Sequence, residues 1–276
     1  RTHTQPGDEI VTEEDSHLYV YEGGGYAALS GCSIALVPAE RGIMNPEDIA
    51  RKIRKSEGSR SHYPNGSLVC VENTSNRGGG TCYPIDTLDE IGRIAREKEC
   101  NLHLDGARLF NAVAASGESA ERLTSMFESV SVCLSKGLGA PVGSVLVGSS
   151  EFINRAHRWR KIMGGGMRQS GILAAAGLYA LDHNLERLEV DHQRARKLAE
   201  SLAVQPGLSV DLDAVQTNMV YLQTEKAADE WVNQLEESGV QCFALGQNLL
   251  RLVVHLDLEE NQIDRAIEIF SQLAET

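Results

Sequence analysis

The sequence has no Cys-x-x-Cys spacing among its six cysteines, Cys32, Cys70, Cys82, Cys100, Cys133 and Cys242. Most of them lie inside apolar runs such as SLVCVE and SVSVCLS, where they read as reduced core thiols, and no metal site is expected. A reducing compartment follows, the cytoplasm first, with the mitochondrial matrix not excluded. Long hydrophobic runs are missing too: the longest reach about half a membrane span, so no membrane partner is expected. The opening RTHTQPGDE is neither a signal peptide nor an amphipathic transit peptide. It has no initiator Met, and the expectation is that a leading segment, with any targeting signal it carries, is absent from this chain. Basic charge is scarce, with 26 Lys and Arg against 39 Asp and Glu, a net of −13. Affinity for a phosphate backbone needs clustered Lys and Arg, so no nucleic-acid partner is expected. An anionic substrate or cofactor has to be held by a few specific basic residues.

What is present is an ordinary globular composition. Hydrophobic residues are 42% of 276 and charged residues 24%, enough for one large domain or two of common size. Short apolar runs alternate with helix-period segments through the first two thirds, the pattern of an α/β fold on a largely parallel sheet. Strands are expected at residues 32–37, 68–72, 102–105, 130–135 and 143–148. LVCVE and VSVCLS are apolar on successive residues, as in strands covered on both faces. Crossover helices are expected at 45–55, where Asn45 is the cap and Pro46 the first helical residue, and at 86–99, with Leu88, Ile91, Ile94 and Ala95 on one face. From about 168 to 204 the pattern is helical. After Gln205-Pro206-Gly207, strand-like runs at 218–223 and 249–255 are each followed by a helix, near 227–238 and 259–273. A boundary near residue 185 divides a large domain, 1–185, from a smaller α/β domain, 186–276.

In Asn101-Leu-His-Leu-Asp-Gly-Ala-Arg-Leu-Phe a short apolar strand ends in Asp105 and a turn delivers Arg108. Ligands of open α/β sheets sit outside the carboxyl ends of the strands, which makes Asp105 a site candidate. An Asp before Gly is also ordinary turn or capping chemistry. The next strand ends in Lys136, followed by Gly137-Leu-Gly-Ala-Pro-Val-Gly143. An amine flanked by apolar residues and glycines is partly desolvated, which lowers its pKa as a Schiff-base lysine requires. A loop lysine on the surface is the plain alternative. Asp105 and Lys136 nevertheless fall on consecutive strand ends joined by one crossover, which brings them to one sheet edge. A carboxylate to keep a ring nitrogen protonated and a poised lysine are what pyridoxal phosphate demands. The glycines also resemble a degenerate dinucleotide fingerprint, but that loop must open into a helix, and Gly143-Ser-Val-Leu-Val-Gly148 reads as another strand.

Six segments carry a further likeness: Gly7-Asp-Glu-Ile with Asp15-Ser-His17-Leu-Tyr-Val-Tyr-Glu22; Val71-Glu-Asn-Thr-Ser-Asn76-Arg-Gly-Gly; His103-Leu-Asp-Gly-Ala-Arg108-Leu-Phe-Asn-Ala; Leu134-Ser-Lys-Gly-Leu-Gly-Ala-Pro-Val-Gly143; Gly164-Gly-Gly-Met-Arg-Gln-Ser170; and Arg251-Leu-Val-Val-His-Leu-Asp257. In this order the chain resembles low-specificity L-threonine aldolases over essentially all of its length. The resemblance implies the aspartate-aminotransferase-like fold type I and pyridoxal 5'-phosphate as a covalently held cofactor. It implies that Lys136 bonds the cofactor, Asp105 pairs with its ring nitrogen and His17 stacks on its face. It also implies that His62, in Ser61-His-Tyr-Pro, stands near the substrate β-hydroxyl, that Arg108 and Arg251 clamp the amino-acid carboxylate, and that Arg168 reaches a neighbouring subunit's cofactor phosphate. Glu22 is placed near the catalytic water. A turn histidine at His62, an edge arginine at Arg251 and a solvated Glu22 are the plain alternatives.

The activity so implied is cleavage of L-threonine or L-allo-threonine to glycine and acetaldehyde, in a homodimer or homotetramer with shared sites. His62, or a water held by it and Glu22, is the candidate base. A different reaction on the same cofactor, such as β-elimination, and a truncated non-catalytic chain are the other readings. One departure stands out. The family's Ser-Gly-Thr-like turn for the cofactor phosphate, and the serine it offers the substrate carboxylate, have no counterpart in this sequence, so several tens of residues are expected to be missing at the start.

Overall fold

The computed structural model describes residues 1–59 and 62–275. The main sheet is built from β1 (Asp8–Glu13), β2 (Ser33–Val37), β5 (Asn65–Glu72), β6 (Asn101–Gly106), β7 (Ser129–Cys133) and β8 (Ser144–Gly148), with a ribbon of β3 (Ala39–Glu40) and β4 (Ile43–Met44) between β2 and β5. The order is β2-β1-β5-β6-β7-β8. All neighbours are parallel except β7 and β8, which run antiparallel. β5 is buried along its middle six residues, as its continuous apolar run requires. β6 alternates instead: Leu102, Leu104 and Gly106 are buried, while Asn101, His103 and Asp105 face the other side.

β1 is the strand whose sequence does not announce it, because DEIVTE carries three acids. Its Glu9, Thr12 and Glu13 are nonetheless buried. Glu9 is neutralised by Arg54, whose Nε lies 3.0 Å from Glu9 Oε2, a partner 45 positions away that no local pattern reveals.

Short helices α1 (His17–Val20) and α2 (Gly25–Ala28) follow β1; α3 (Pro46–Lys52) and α4 (Ile85–Glu97) flank β5. Asn45 caps α3 as expected, its side chain accepting the Glu47 N–H at 2.9 Å. Two helices, α5 (Leu109–Ser116) and α6 (Ala120–Thr124), fill the connection from β6 to β7 where one crossover was expected. Leu88 and Ile91 of α4 join Val69, Val71, Leu102 and Leu104 in the larger core. α7 (Ser150–Ile162), absent from the sequence reading, precedes α8 (Gly171–His183) and α9 (Leu188–Leu202), so the helical stretch beyond 168 is two helices.

The second sheet is four-stranded and antiparallel, in the order β11-β12-β10-β9. It comprises β9 (Leu208–Val210), β10 (Met219–Thr224), β11 (Phe243–Gly246) and β12 (Leu249–Val253), backed by α9, α10 (Ala228–Glu237) and α11 (Glu260–Ala274). Its own core includes Leu198, Leu222, Trp231, Leu250, Ile263 and Phe270. The short strands β9 and β11 lie outside the two runs expected from sequence. No helix among the described residues is long and apolar enough to cross a membrane.

Candidate active site

The strand order reverses between β1 and β5, since β2 lies on one side of β1 and β5 to β8 extend on the other. A crevice opens outside the carboxyl ends of strands at such a reversal. Here a cavity of about 210 Å3 is lined by His17 and Glu22, which follow β1; Glu72 and Asn76, at and after the end of β5; Asp105 and Ala107 of the β6 end; and Ser131, Cys133 and Lys136 at the β7 end. Four strand ends therefore converge on one small polar space. A cavity of about 500 Å3 beside β12 and α11 is larger, but its walls hold no lysine and so offer no amine for carbonyl chemistry.

Asp105 stands opposite Glu72 on one side and Ser131 on the other in the parallel register. Its Oδ1 accepts the Ala107 N–H at 3.1 Å, so the turn chemistry expected of an Asp before Gly is real and coexists with a place in the cavity wall. Lys136 sits three residues beyond the end of β7, in a turn closed by the Gly139 N–H donating to the Lys136 carbonyl at 2.9 Å. Gly139 has φ +73°, and a Cβ there would collide with Leu256, which explains a glycine at that position. Lys136 keeps part of its surface in solvent, yet desolvation of its amine, followed by the nearby Arg108 charge, holds it below the usual lysine range. No hydrogen bond or ion pair engages the amine among the described residues.

Arg108 acts on the Lys136 amine electrostatically and Arg251 in turn on Arg108, though neither guanidinium is part of the cavity lining. Burial pushes the Arg108 pKa down, and the like charge of Arg251 pushes in the same direction. The Arg108 guanidinium makes no hydrogen bond or ion pair among the described residues; only its backbone carbonyl is engaged, accepting the Asn111 and Ala112 N–H groups. Arg251, on β12, donates from Nη1 to Asn76 Oδ1 at 3.1 Å and packs over the Phe243 ring at 5.5 Å, while its buried Nε has no partner among the described residues. Two neighbouring guanidiniums with no ion pair among the described residues, and of carboxylates only the Glu72 charge acting on Arg108 against the shift, form a ready site for an anion.

His17 opens α1 and meets Glu22, Nδ1 to Oε1 at 3.1 Å. His62 is exposed, its N–H donating to the Ser59 carbonyl at 3.2 Å, and is not among the cavity walls; its neighbours Arg60 and Ser61 lie outside the described residues. Arg168 is exposed between α7 and α8 and makes no ion pair or hydrogen bond with its side chain among the described residues. The buried thiols are Cys32, Cys70 and Cys100 only; Cys82, Cys133 and Cys242 are half-buried, and Cys133 lines the cavity. Glu72, missing from the sequence reading, is drawn in by both arms of its carboxylate: Oε2 accepts the His17 N–H at 2.7 Å and Oε1 the Asn76 N–H at 2.9 Å. Burial first, and Asp105 after it, raise its pKa. The signal for it was the one that found Asp105, an acid closing an apolar strand.

An unengaged amine of lowered pKa, a strand-end carboxylate, an aromatic ring and two guanidiniums with no ion pair among the described residues form the donor set that a pyridoxal phosphate and an amino acid require, and the residues fit that group. Comparisons with known proteins point the same way. Residues 1–225 match the β-eliminating lyase family. The chain is 41% identical over 271 residues to low-specificity L-threonine aldolase 1 of Arabidopsis thaliana, covering 96% of this chain and 75% of that protein. It is 39% identical over 264 residues to the low specificity L-threonine aldolase of Escherichia coli K12, covering 95% and 76%. Among solved structures, Leishmania major threonine aldolase superposes with a TM-score of 0.82 at 19% identity, covering 99% of this chain and 79% of that one. Serine palmitoyltransferase of Sphingomonas wittichii superposes at 0.75 and 17%, covering 99% and 67%. At those identities the structures speak for the fold alone.

Proposed function

Since the chain belongs to the β-eliminating lyase family, among its low-specificity L-threonine aldolases, we propose that its cavity cleaves L-threonine and L-allo-threonine to glycine and acetaldehyde with pyridoxal 5'-phosphate. The observation that carries the reading is the pair Arg108 and Arg251, guanidiniums that make no ion pair among the described residues, with Arg108 acting on a free amine of lowered pKa. Lys136 would hold the cofactor, Asp105 would pair with its ring nitrogen, His17 would cover its face, and Arg168 would reach the phosphate of a neighbouring subunit. When bound, the cofactor supplies a sink for the electrons released at the substrate α-carbon. Arg108 and Arg251 grip the carboxylate as bidentate forks and so fix which bond of that carbon is aligned for cleavage. The β-hydroxyl proton goes to the cavity-wall carboxylate of Glu22, directly or through a water shared with His62. Glu22 has the support of the geometry because it lines the cavity and holds His17.

The same reading includes a division of the chain near residue 185, supported by two separate apolar cores, and a homodimer or homotetramer. The assembly is supported by Val145, Leu146 and Val147 on β8 and by Ile172, Leu178 and Tyr179 on α8, all large, apolar and exposed. Six free cysteines support a reducing compartment, the cytoplasm. The test is a product assay on the cofactor-loaded protein with both threonine epimers: equal molar glycine and acetaldehyde are expected, and release of 2-oxobutanoate in their place would make it a β-eliminating lyase. Borohydride reduction followed by peptide mass spectrometry should find the adduct on Lys136.

A further inference from the structure

Glu72 has no part in the chemistry just described, yet its carboxylate touches both halves of the site. One side leads to the ring-covering histidine. The N-cap of α1 is Ser16, whose side chain makes no bond to the helix because its hydroxyl is engaged by Thr12 at 3.2 Å. The N–H of His17, the first residue of α1, is satisfied by Glu72 Oε2, from a strand 55 positions later. The other side leads to the carboxylate clamp. Glu72 Oε1 holds the N–H of Asn76, and Asn76 in turn accepts Arg251 Nη1 on its side-chain oxygen at 3.1 Å and the Tyr221 hydroxyl on its carbonyl at 2.6 Å. Tyr221 and Arg251 are directly opposed on β10 and β12, so this contact also ties the second sheet to the first.

We propose that Glu72 is a positioning residue that sets His17 and, through Asn76, Arg251 from a single carboxylate, so that the groups for cofactor and substrate are registered against each other. Both contacts are backbone N–H donors, which requires an acceptor on each oxygen and a donor on neither. Only the ionised carboxylate offers that; glutamine would turn an NH2 toward one of the two N–H groups. Burial and Asp105 work against the charge at this position, and the two N–H bonds favour it. The inference rests on the roles proposed for His17 and Arg251.

The test is Glu72→Gln in the cofactor-loaded protein, with two equilibrium readouts: the cofactor dissociation constant with the visible circular dichroism of the bound group, and the glycine dissociation constant. Each is expected to weaken by about tenfold, the scale of a lost hydrogen bond to a charged group. Both are then repeated in His17→Ala and Arg251→Ala backgrounds. The glycine effect should fall below about twofold once Arg251 is gone, and the cofactor effect should do so once His17 is gone. Additive effects in both backgrounds overturn the proposal, because a general loss of packing would carry through unchanged. Asn76→Ala separates the arms, and it remains decisive if Glu72→Gln does not fold: glycine binding should weaken while the cofactor dichroism stays as it was. Unchanged glycine affinity in that variant overturns the proposal. If His17→Ala and Arg251→Ala are themselves silent, the site reading falls, and this inference with it.

Discussion

The carboxyl edge of the main sheet and the interior of the second sheet are built on opposite terms. Around β10 and β12 most buried side chains are apolar and mutually packed, with Trp231 stacked on Phe270 at 5.7 Å and Phe270 fully buried, and the buried Asn218, Thr224 and Asp191 are exceptions. At the edge, buried or half-buried strand ends carry Glu13, Glu72 and Asp105, and the exposed Lys136 lies just beyond; desolvation displaces the pKa values of Glu13, Glu72 and Lys136. A fold that desolvates ionisable groups at one edge needs a compensating apolar core elsewhere, and the difference locates function in the first region and stability in the second. The two regions should therefore respond to substitution in opposite currencies, turnover in one and unfolding free energy in the other.

The largest effect is expected at Lys136. Lys136→Ala should lower threonine cleavage by about four orders of magnitude or more, while the cofactor-free protein unfolds within about 0.5 kcal/mol of the parent, as for a side chain with no packing role. A large stability loss in the cofactor-free variant would erase the contrast. Asp105→Asn comes next. The amide keeps the carbonyl that accepts the Ala107 N–H but lacks the charge, and a fall of about 10²–10⁴-fold in turnover is expected. Near-parental turnover would leave Asp105 as turn chemistry alone. From the other region, Phe270→Ala should cost about 3–5 kcal/mol in urea unfolding and leave turnover per folded molecule unchanged. A selective loss of turnover there would show that the second core is part of the catalytic machinery.

Much of the edge was legible because strand-end logic is local. A short apolar run followed by Asp-Gly or Lys-Gly can be seen within ten residues, and it found Asp105 and Lys136. The same strand-end signal marks Glu72 but was not carried to it, and nothing near it in sequence shows that both its oxygens are engaged, one of them by a residue 55 positions earlier. β1 was hidden for a related reason: its acids are neutralised or buried by distant partners, so its composition reads as surface. Arg251 reached the sequence reading only through family resemblance, and its meeting with Asn76, across 175 positions, was not read at all. α7 carries Arg155, Arg158, Arg160 and Lys161 among few buried residues, Phe152 and Ala156, too thin an apolar stripe for periodicity to announce.

The smallest effect expected concerns Glu13, and it sharpens the contrast by measuring what the edge costs. Glu13 ends β1 and is buried; its Oε1 accepts the Asp15 N–H at 2.9 Å. Burial, opposed by that bond and aided by the neighbouring acids Asp15, Glu72 and Glu14, pushes its pKa up to about 7 from an ordinary 4.5. The folded protein thus holds this proton more tightly than the unfolded chain does. Between pH 4.5 and about 7 the unfolded state releases the proton and the folded state keeps it, so this residue's contribution to stability falls as pH rises through that window and is fully lost above it. Glu13→Gln keeps an acceptor for the Asp15 N–H and cannot titrate. The two proteins should be nearly equal in stability at the acid end of the window, and the variant should gain on the parent with rising pH, reaching an advantage of about 2–3 kcal/mol above neutrality. Urea unfolding of both proteins in parallel across that range checks this, because the titrations they share cancel in the difference. A difference that stays flat, or that grows toward acid, would mean that Glu13 is ionised in the fold and that the edge tolerates charge at less cost than its burial suggests.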